Sequence, residues 1–165
     1  MKSGVVAIGM VVLTACGAAP PPASAGSAAT PLELTLVSND GQLETLPFAG
    51  AKTVVDYFAP NCEPCRKKLP ALVARRADLA LHDARLALVG VLESSDSTAS
   101  VEGVLASWGL ADERFFIDRE GVSARVAKVT EFPTTQVFDA TRSLRWVGHA
   151  ASTEEDVLAA VAGLP

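Results

Sequence analysis

Cysteine and histidine are both scarce in this chain, with three Cys and two His in 165 residues. Three cysteines are too few to staple a disulfide-built domain, and two histidines do not make a His-based metal cluster. Positive charge is also in deficit: 14 Lys and Arg face 19 Asp and Glu, a formal net charge of −5. A nucleic-acid binder would normally carry a basic face, so that class is set aside. No internal repeat is visible, and no apolar run approaches the ~20 residues needed to cross a bilayer. What remains is one domain's length of chain, 49% hydrophobic, whose few cysteines are free for chemistry.

The front end reads as an address. Lys2 precedes an apolar run over residues 5–13, and the small residues Thr14 and Ala15 follow. That is the pattern of a secretory signal. The next residue is Cys16, and Leu13-Thr14-Ala15-Cys16 resembles the bacterial lipobox, in which the cysteine is lipidated and becomes the mature N-terminus. Each buried CH₂ of an acyl chain contributes about 0.8 kcal/mol, so two or more chains hold a protein on a membrane without crossing it. Gly17 stands where an Asp would signal inner-membrane retention in a Gram-negative cell, which points to the outer membrane there. Residues 17–31 are nearly all Ala, Pro, Ser and Gly and cannot build a core. The expected division is a signal at 1–15, a lipidated Cys16 with a tether over 16–31, and one folded domain over 32–165.

Within that domain, residues 32–36 alternate apolar and polar, and Asn39-Asp40-Gly41 supplies a turn before a partner strand at 43–46. Residues 53–58 are β-branched and aromatic, as in a buried central strand. Leu69, Leu72, Val73 and Leu79 keep helical spacing through about residue 81, and residues 86–92 suggest a second buried strand. Val101, Val104, Leu105 and Trp108 mark one helical face that ends at Gly109. A short strand at 114–117, a short helix at 122–129 and strands at 135–138 and 144–147 follow. Ser152 with Glu155 reads as a capping box for a last helix carrying Val157, Leu158 and Val161. The order is a hairpin, then βαβα, then ββα. It implies an α/β domain with a central mixed sheet flanked by helices and an N-terminal β-hairpin.

The chemistry concentrates at Cys62-Glu63-Pro64-Cys65, between a buried strand and a helix. At a helix N-terminus the first cysteine meets unpaired N–H groups and the positive end of the helix dipole, which favour thiolate. Thiolate attacks disulfides, so a strand–Cys-x-x-Cys–helix arrangement suits redox work. Structural zinc would need about four ligands, and there is no second cysteine pair. A purely structural bridge across so short a loop would stabilise almost nothing. Asp56 is a carboxylate within the apolar strand, six residues before Cys62. Unless it reaches solvent at an edge, burial raises its pKa and suits it to exchange protons with Cys65.

The string FAPNCEPCRKKLP resembles the thioredoxin superfamily, and within it the membrane-tethered extracytoplasmic branch typified by TlpA and ResA. The likeness covers about residues 32–165, and the expected layout is that of the thioredoxin fold. It implies a helix-kinking proline at Pro70. In Glu131-Phe132-Pro133-Thr134-Thr135 it implies a cis-proline at Pro133 facing the cysteines, with the Phe132 backbone pairing the substrate chain. It also places Asp56 near the inner cysteine. Glu63 and Pro64, the pair found in ResA, are expected to tune the couple together with Lys68. Two departures stand out. Asn61 replaces the usual Trp before the first cysteine, and Lys68 stands where many relatives carry Glu. Arg66, Lys67 and Lys68 would then form a basic patch tilting the couple toward oxidation, or else an ordinary solvated helix face.

The function expected is thiol–disulfide exchange outside the cytoplasm, with Cys62 attacking, Cys65 resolving and Asp56 assisting. By the resemblance it is a reductase of protein disulfides, in cytochrome c maturation or a similar task, served by a membrane electron donor or acceptor. A disulfide-forming oxidase is the alternative, and no cofactor, metal or nucleic acid is expected. A peroxiredoxin would need Thr or Ser at position 59, which is Ala59. A copper-binding assembly lipoprotein could recruit His149 but usually spaces its cysteines by three residues. His82 and His149 are otherwise expected at the surface or an edge, and Trp108 in the core.

Overall fold

The structure, a computed structural model, describes residues 31–165. The signal, Cys16 and all but the last residue of the tether lie outside the described residues. The chain begins with the hairpin β1 (Leu34–Ser38) and β2 (Leu43–Leu46), turned at Gly41 with φ +82°. The central unit follows: β3 (Lys52–Phe58), α1 (Glu63–Ala74), α2 (Arg76–Ala80), β4 (Ala84–Leu92) and α3 (Thr98–Ser107). Then come β5 (Phe115–Arg119), α4 (Val122–Val126), β6 (Thr134–Phe138), β7 (Leu144–Gly148) and α5 (Glu154–Ala162). The strands form one mixed seven-stranded sheet in the order β2-β1-β5-β4-β3-β6-β7. The pairs β3–β4 and β4–β5 are parallel, and the remaining neighbours are antiparallel.

Strand alternation divides the core between the two faces of the sheet. Val54 and Phe58 of β3 and Leu88 of β4 point to one face, where they meet Cys65, Leu69 and Leu72 of α1, Val101 and Leu105 of α3, and Val157 and Val161 of α5. Val55 and Tyr57 point to the other, against Leu34, Phe48, Val89, Phe116 and Ala124 of α4. Trp108 packs edge-on against Phe58 at 6.2 Å between ring centres, within the first cluster. β3 is therefore a central strand buried on both faces, which its continuous apolar pattern predicts.

Four local features depart from the sequence reading. The helix expected to run through residue 81 breaks at Arg75, where φ −92° and ψ 10° leave the helical region. The buried leucines 69, 72 and 79 are consequently carried by two helices. The helix expected over 122–129 stops at Val126, and Lys128 adopts a left-handed φ of +58°. The cap of α5 is Thr153, paired with Asp156, because the Ser152 hydroxyl already accepts the His149 N–H at 3.1 Å. Finally, the short strand and helix expected at 114–117 and 122–129 are present as β5 and α4, a βα unit that the expected order left out, and β5 enters the sheet between β4 and β1.

Candidate active site

The loop from Ala59 to Asn61 carries the chain from the end of β3 into α1. Cys62 is the N-cap of that helix, with extended φ −87° and ψ 101°, and its Sγ accepts the Cys65 N–H at 3.2 Å. Pro64 occupies the first turn, where its missing N–H leaves no helical bond unmade. The two sulfurs are joined in a disulfide with a Cα–Cα separation of 5.3 Å. Cys62 retains 8% exposure and Cys65 none. Once the bond is reduced, the helix terminus and its free N–H groups favour a thiolate at the cap position. Glu63, Pro64, Arg66 and Lys67 are all exposed around the pair.

Asp56 shares the α1 face of β3 with Val54 and Phe58, and it is fully buried. Its Oδ2 accepts the Thr135 hydroxyl at 2.5 Å, while Oδ1 has no partner among the described residues. Burial pushes the carboxyl up to about 6, against the opposing pull of the Thr135 hydroxyl and the Lys68 charge. A carboxyl raised in this way can hold or release a proton close to neutral pH.

Lys68 corrects the picture of a basic patch. It is 9% exposed and turned inward, and its Nζ donates to the His149 carbonyl at 2.8 Å. Burial lowers its pKa, while the charges of Asp56 and Asp156 oppose that fall. The exposed cations beside the cysteines are thus Arg66 and Lys67. The helical pattern contained the signal: Cys65, Lys68, Leu69 and Leu72 are spaced i, i+3, i+4 and i+7, and all four are buried.

The Phe132–Pro133 peptide is cis, and Pro133 is buried. The Thr134 hydroxyl donates to the Glu131 carbonyl at 2.7 Å across this turn. Phe132 is half-buried and, with Ala59, Pro60 and Asn61, lines a cavity of about 580 Å³ beside the loop that precedes Cys62. His149 lies at the end of the neighbouring strand, its Nδ1 2.9 Å from Glu131 Oε1. Cys62, Cys65 and His149 do not converge; among the described residues, no three His, Cys, Asp or Glu side chains form a metal-holding group. His82 is exposed beyond α2. Thr135 went unrecognised as the Asp56 partner because only the antiparallel register, which sets Asp56 opposite Thr135, brings them together.

The chain matches no protein-family model and no curated protein. Solved structures do match it. The exposed lipoprotein thioredoxin Etrx1 of Streptococcus pneumoniae is 18% identical, with a TM-score of 0.70 over 81% of this chain and 100% of that one. StoA of Bacillus subtilis is 19% identical, with a TM-score of 0.68 over 80% of this chain and 98% of that one. A secreted Mycobacterium tuberculosis disulfide oxidoreductase, homologous to E. coli DsbE, is 18% identical, with a TM-score of 0.63 over 79% and 96%. The fold is thioredoxin-like, with the expected mixed sheet, flanking helices and N-terminal hairpin. Among the described residues, no helix is long and apolar enough to cross a membrane.

Proposed function

We propose that this chain is an extracytoplasmic thiol–disulfide oxidoreductase acting on protein substrates through Cys62 and Cys65. The observation that carries the proposal is a bonded cysteine pair at the start of α1, more accessible at Cys62 than at Cys65, on the sheet face that also holds Asp56. In the reducing direction, the Cys62 thiolate attacks a substrate disulfide. A Cys62–substrate bond forms, the substrate's own S–S bond breaks, and one substrate thiolate leaves. Asp56 takes the proton from Cys65, whose sulfur attacks Cys62 Sγ. The second substrate thiolate is released, two electrons have passed to the substrate, and the Cys62–Cys65 bond is restored. Phe132 and Pro133 bound the surface along which an extended substrate chain lies, and Glu63, Pro64 and Lys68 tune the couple.

The assignment to reduction, in cytochrome c maturation or a similar task, rests on the resemblance to ResA-like proteins and requires a membrane electron donor. Lipidation at Cys16 and the tether over 16–31 would hold the domain on the outer side of a bacterial membrane, the outer membrane in a Gram-negative cell. The exposed Arg66 and Lys67 favour a second reading, an oxidase. Cations beside the pair stabilise thiolate and so raise the oxidising power of the disulfide. Equilibration with glutathione separates the two: a potential near −180 mV or above, toward the ~−120 mV of strong oxidants, rejects the reductase. The roles of the cysteines are checked by trapping. Cys65→Ser should accumulate mixed disulfides with substrate and Cys62→Ser should not; the reverse pattern rejects the assignment.

A further inference from the structure

His149 follows β7 directly, and its main chain is held on both sides. Its N–H donates to the Ser152 hydroxyl at 3.1 Å. Its carbonyl accepts the Ser152 N–H at 3.0 Å and the buried Lys68 Nζ of α1 at 2.8 Å. Gly148 before it is bare because a Cβ there would collide with the Trp146 ring and lie 2.8 Å from Ser152 Oγ. From this fixed point the imidazole reaches the turn that carries the cis-proline. Nδ1 lies 2.9 Å from Glu131 Oε1 and 3.4 Å from the Thr134 hydroxyl. Thr134 already donates to the Glu131 carbonyl, so toward the ring it accepts, as the Glu131 carboxylate does. Nδ1 therefore carries the hydrogen that serves both contacts. The ring clasps the residues on either side of Phe132–Pro133, while the Phe132 N–H and carbonyl bond to nothing among the described residues.

We infer that His149 is a positioning residue of the exchange reaction, holding the 131–134 turn so that the Phe132 backbone meets an extended substrate chain in register with Cys62. The inference rests on the exchange function proposed above. It assigns that reaction a residue outside the cysteine helix and outside the Asp56–Thr135 pair. Lys68 fastens the base of the device to α1, the helix that begins at Cys62. The imidazole thus ties the substrate-pairing turn to the element that carries the sulfurs. A turn already held in its bound geometry loses less freedom when a chain docks on it, which favours binding. The Glu131 and His149 side chains are 59% and 51% exposed, so their contact adds little to the stability of the domain. Its effect falls on the turn.

The test follows single turnovers of the reduced full-length protein with an extended peptide whose one cysteine is held in a mixed disulfide with thionitrobenzoate. Cys62 displaces thionitrobenzoate, Cys65 displaces the peptide thiol, and the protein dithiol becomes a disulfide. Absorbance follows the first step while the peptide is raised to saturation. His149→Ala should raise the half-saturating peptide concentration about 3- to 5-fold and leave the limiting rate within about 2-fold of the wild type. His149→Asn, which sets an amide N–H close to where Nδ1 stands, should restore most of the loss. Glu131→Ala should lose nearly as much as His149→Ala, and the double variant should be little worse than either. With dithiobis(nitrobenzoate), which has no peptide chain to pair with Phe132, every variant should react at the wild-type rate. An unchanged half-saturation in His149→Ala, additive losses in the double variant, or equal slowing with the chainless disulfide overturns the inference. A wild type that releases no thionitrobenzoate from either compound rejects disulfide exchange itself and the inference with it. Exchange by the wild type that is indifferent to His149→Ala removes the positioning role alone.

Discussion

Asp56 and Asp139 belong to the same strand pair. Asp56 lies toward the cysteine end of β3, and Asp139 directly follows the antiparallel β6, at the opposite end of the sheet. Both are nearly inaccessible, yet they differ in the number of donors that reach them. Asp139 accepts the Thr141 hydroxyl and amide at 2.6 and 2.8 Å, the Ser143 amide at 3.0 Å and Arg145 Nε at 2.6 Å. Burial pushes its carboxyl up, but those donors together hold it at about 2. Asp56 has one hydroxyl on one oxygen and nothing on the other, and burial carries it to about 6. Burial alone therefore does not decide the charge of a carboxylate; the supply of donors does. Asp139 is fixed as an anion that closes a turn, whereas Asp56 keeps the choice of holding a proton.

The sharpest way to break this contrast is kinetic. Asp56→Asn should slow the attack of Cys65 on the mixed disulfide by about 100-fold at neutral pH, since in the proposed exchange Asp56 is the acceptor of the Cys65 proton. Asp139→Asn should change that rate by less than about 2-fold. Rapid-mixing measurement of mixed-disulfide decay gives both values, and comparable slowing in the two variants would erase the distinction.

Stability should move in opposite directions. The folded-state pKa of Asp56 is raised from 3.8 to about 6, so stability falls as pH rises through that window, and the penalty is complete above it. Asp56→Asn should therefore gain on the order of 2–3 kcal/mol at pH ~8 and almost nothing near pH ~4. The pKa of Asp139 is lowered from 3.8 to about 2, so its contribution is present above 3.8 and is lost as pH falls through about 2. Asp139→Asn should lose on the order of 1–2 kcal/mol at neutral pH, limited by water close to this rim turn. Urea unfolding of the oxidised proteins across pH checks both signs.

The smallest effect is expected from Lys68→Met, which removes a cation that helps to keep Asp56 ionised. The pH midpoint of the exchange rate should rise by about one unit. The infrared band of a protonated carboxylic acid should persist to higher pH, a change that loss of helix packing alone would not produce.

What the sequence made legible follows from period and spacing. β3, the cysteine pair and the helix after it were readable because a continuous β-branched and aromatic run, a motif and a 3.6-residue stripe are local patterns. Lys68 was readable in principle, three residues after Cys65 on the buried stripe, but it sits in a run of three basic residues that resembles a solvated face. The break at Arg75 was hidden because Leu72 and Leu79 keep heptad spacing across it. Ser152–Glu155 and Thr153–Asp156 are overlapping candidates for one cap, decided only by the turn that engages Ser152. The position of β5 between β4 and β1 and the partners of Asp56 and His149 all depend on long-range pairing, which no local window contains.

β3 has neighbours on both sides, parallel β4 and antiparallel β6, along nearly its whole length. Such a strand opens at a free energy close to that of global unfolding, so transient breathing of the sheet is a rare event. A proton bound for Asp56 consequently has no quick passage through the sheet. Under the exchange mechanism proposed above, the passage left to it runs along the α1 face from the sulfur end of the strand, and its traffic is tied to the opening and closing of the Cys62–Cys65 bond.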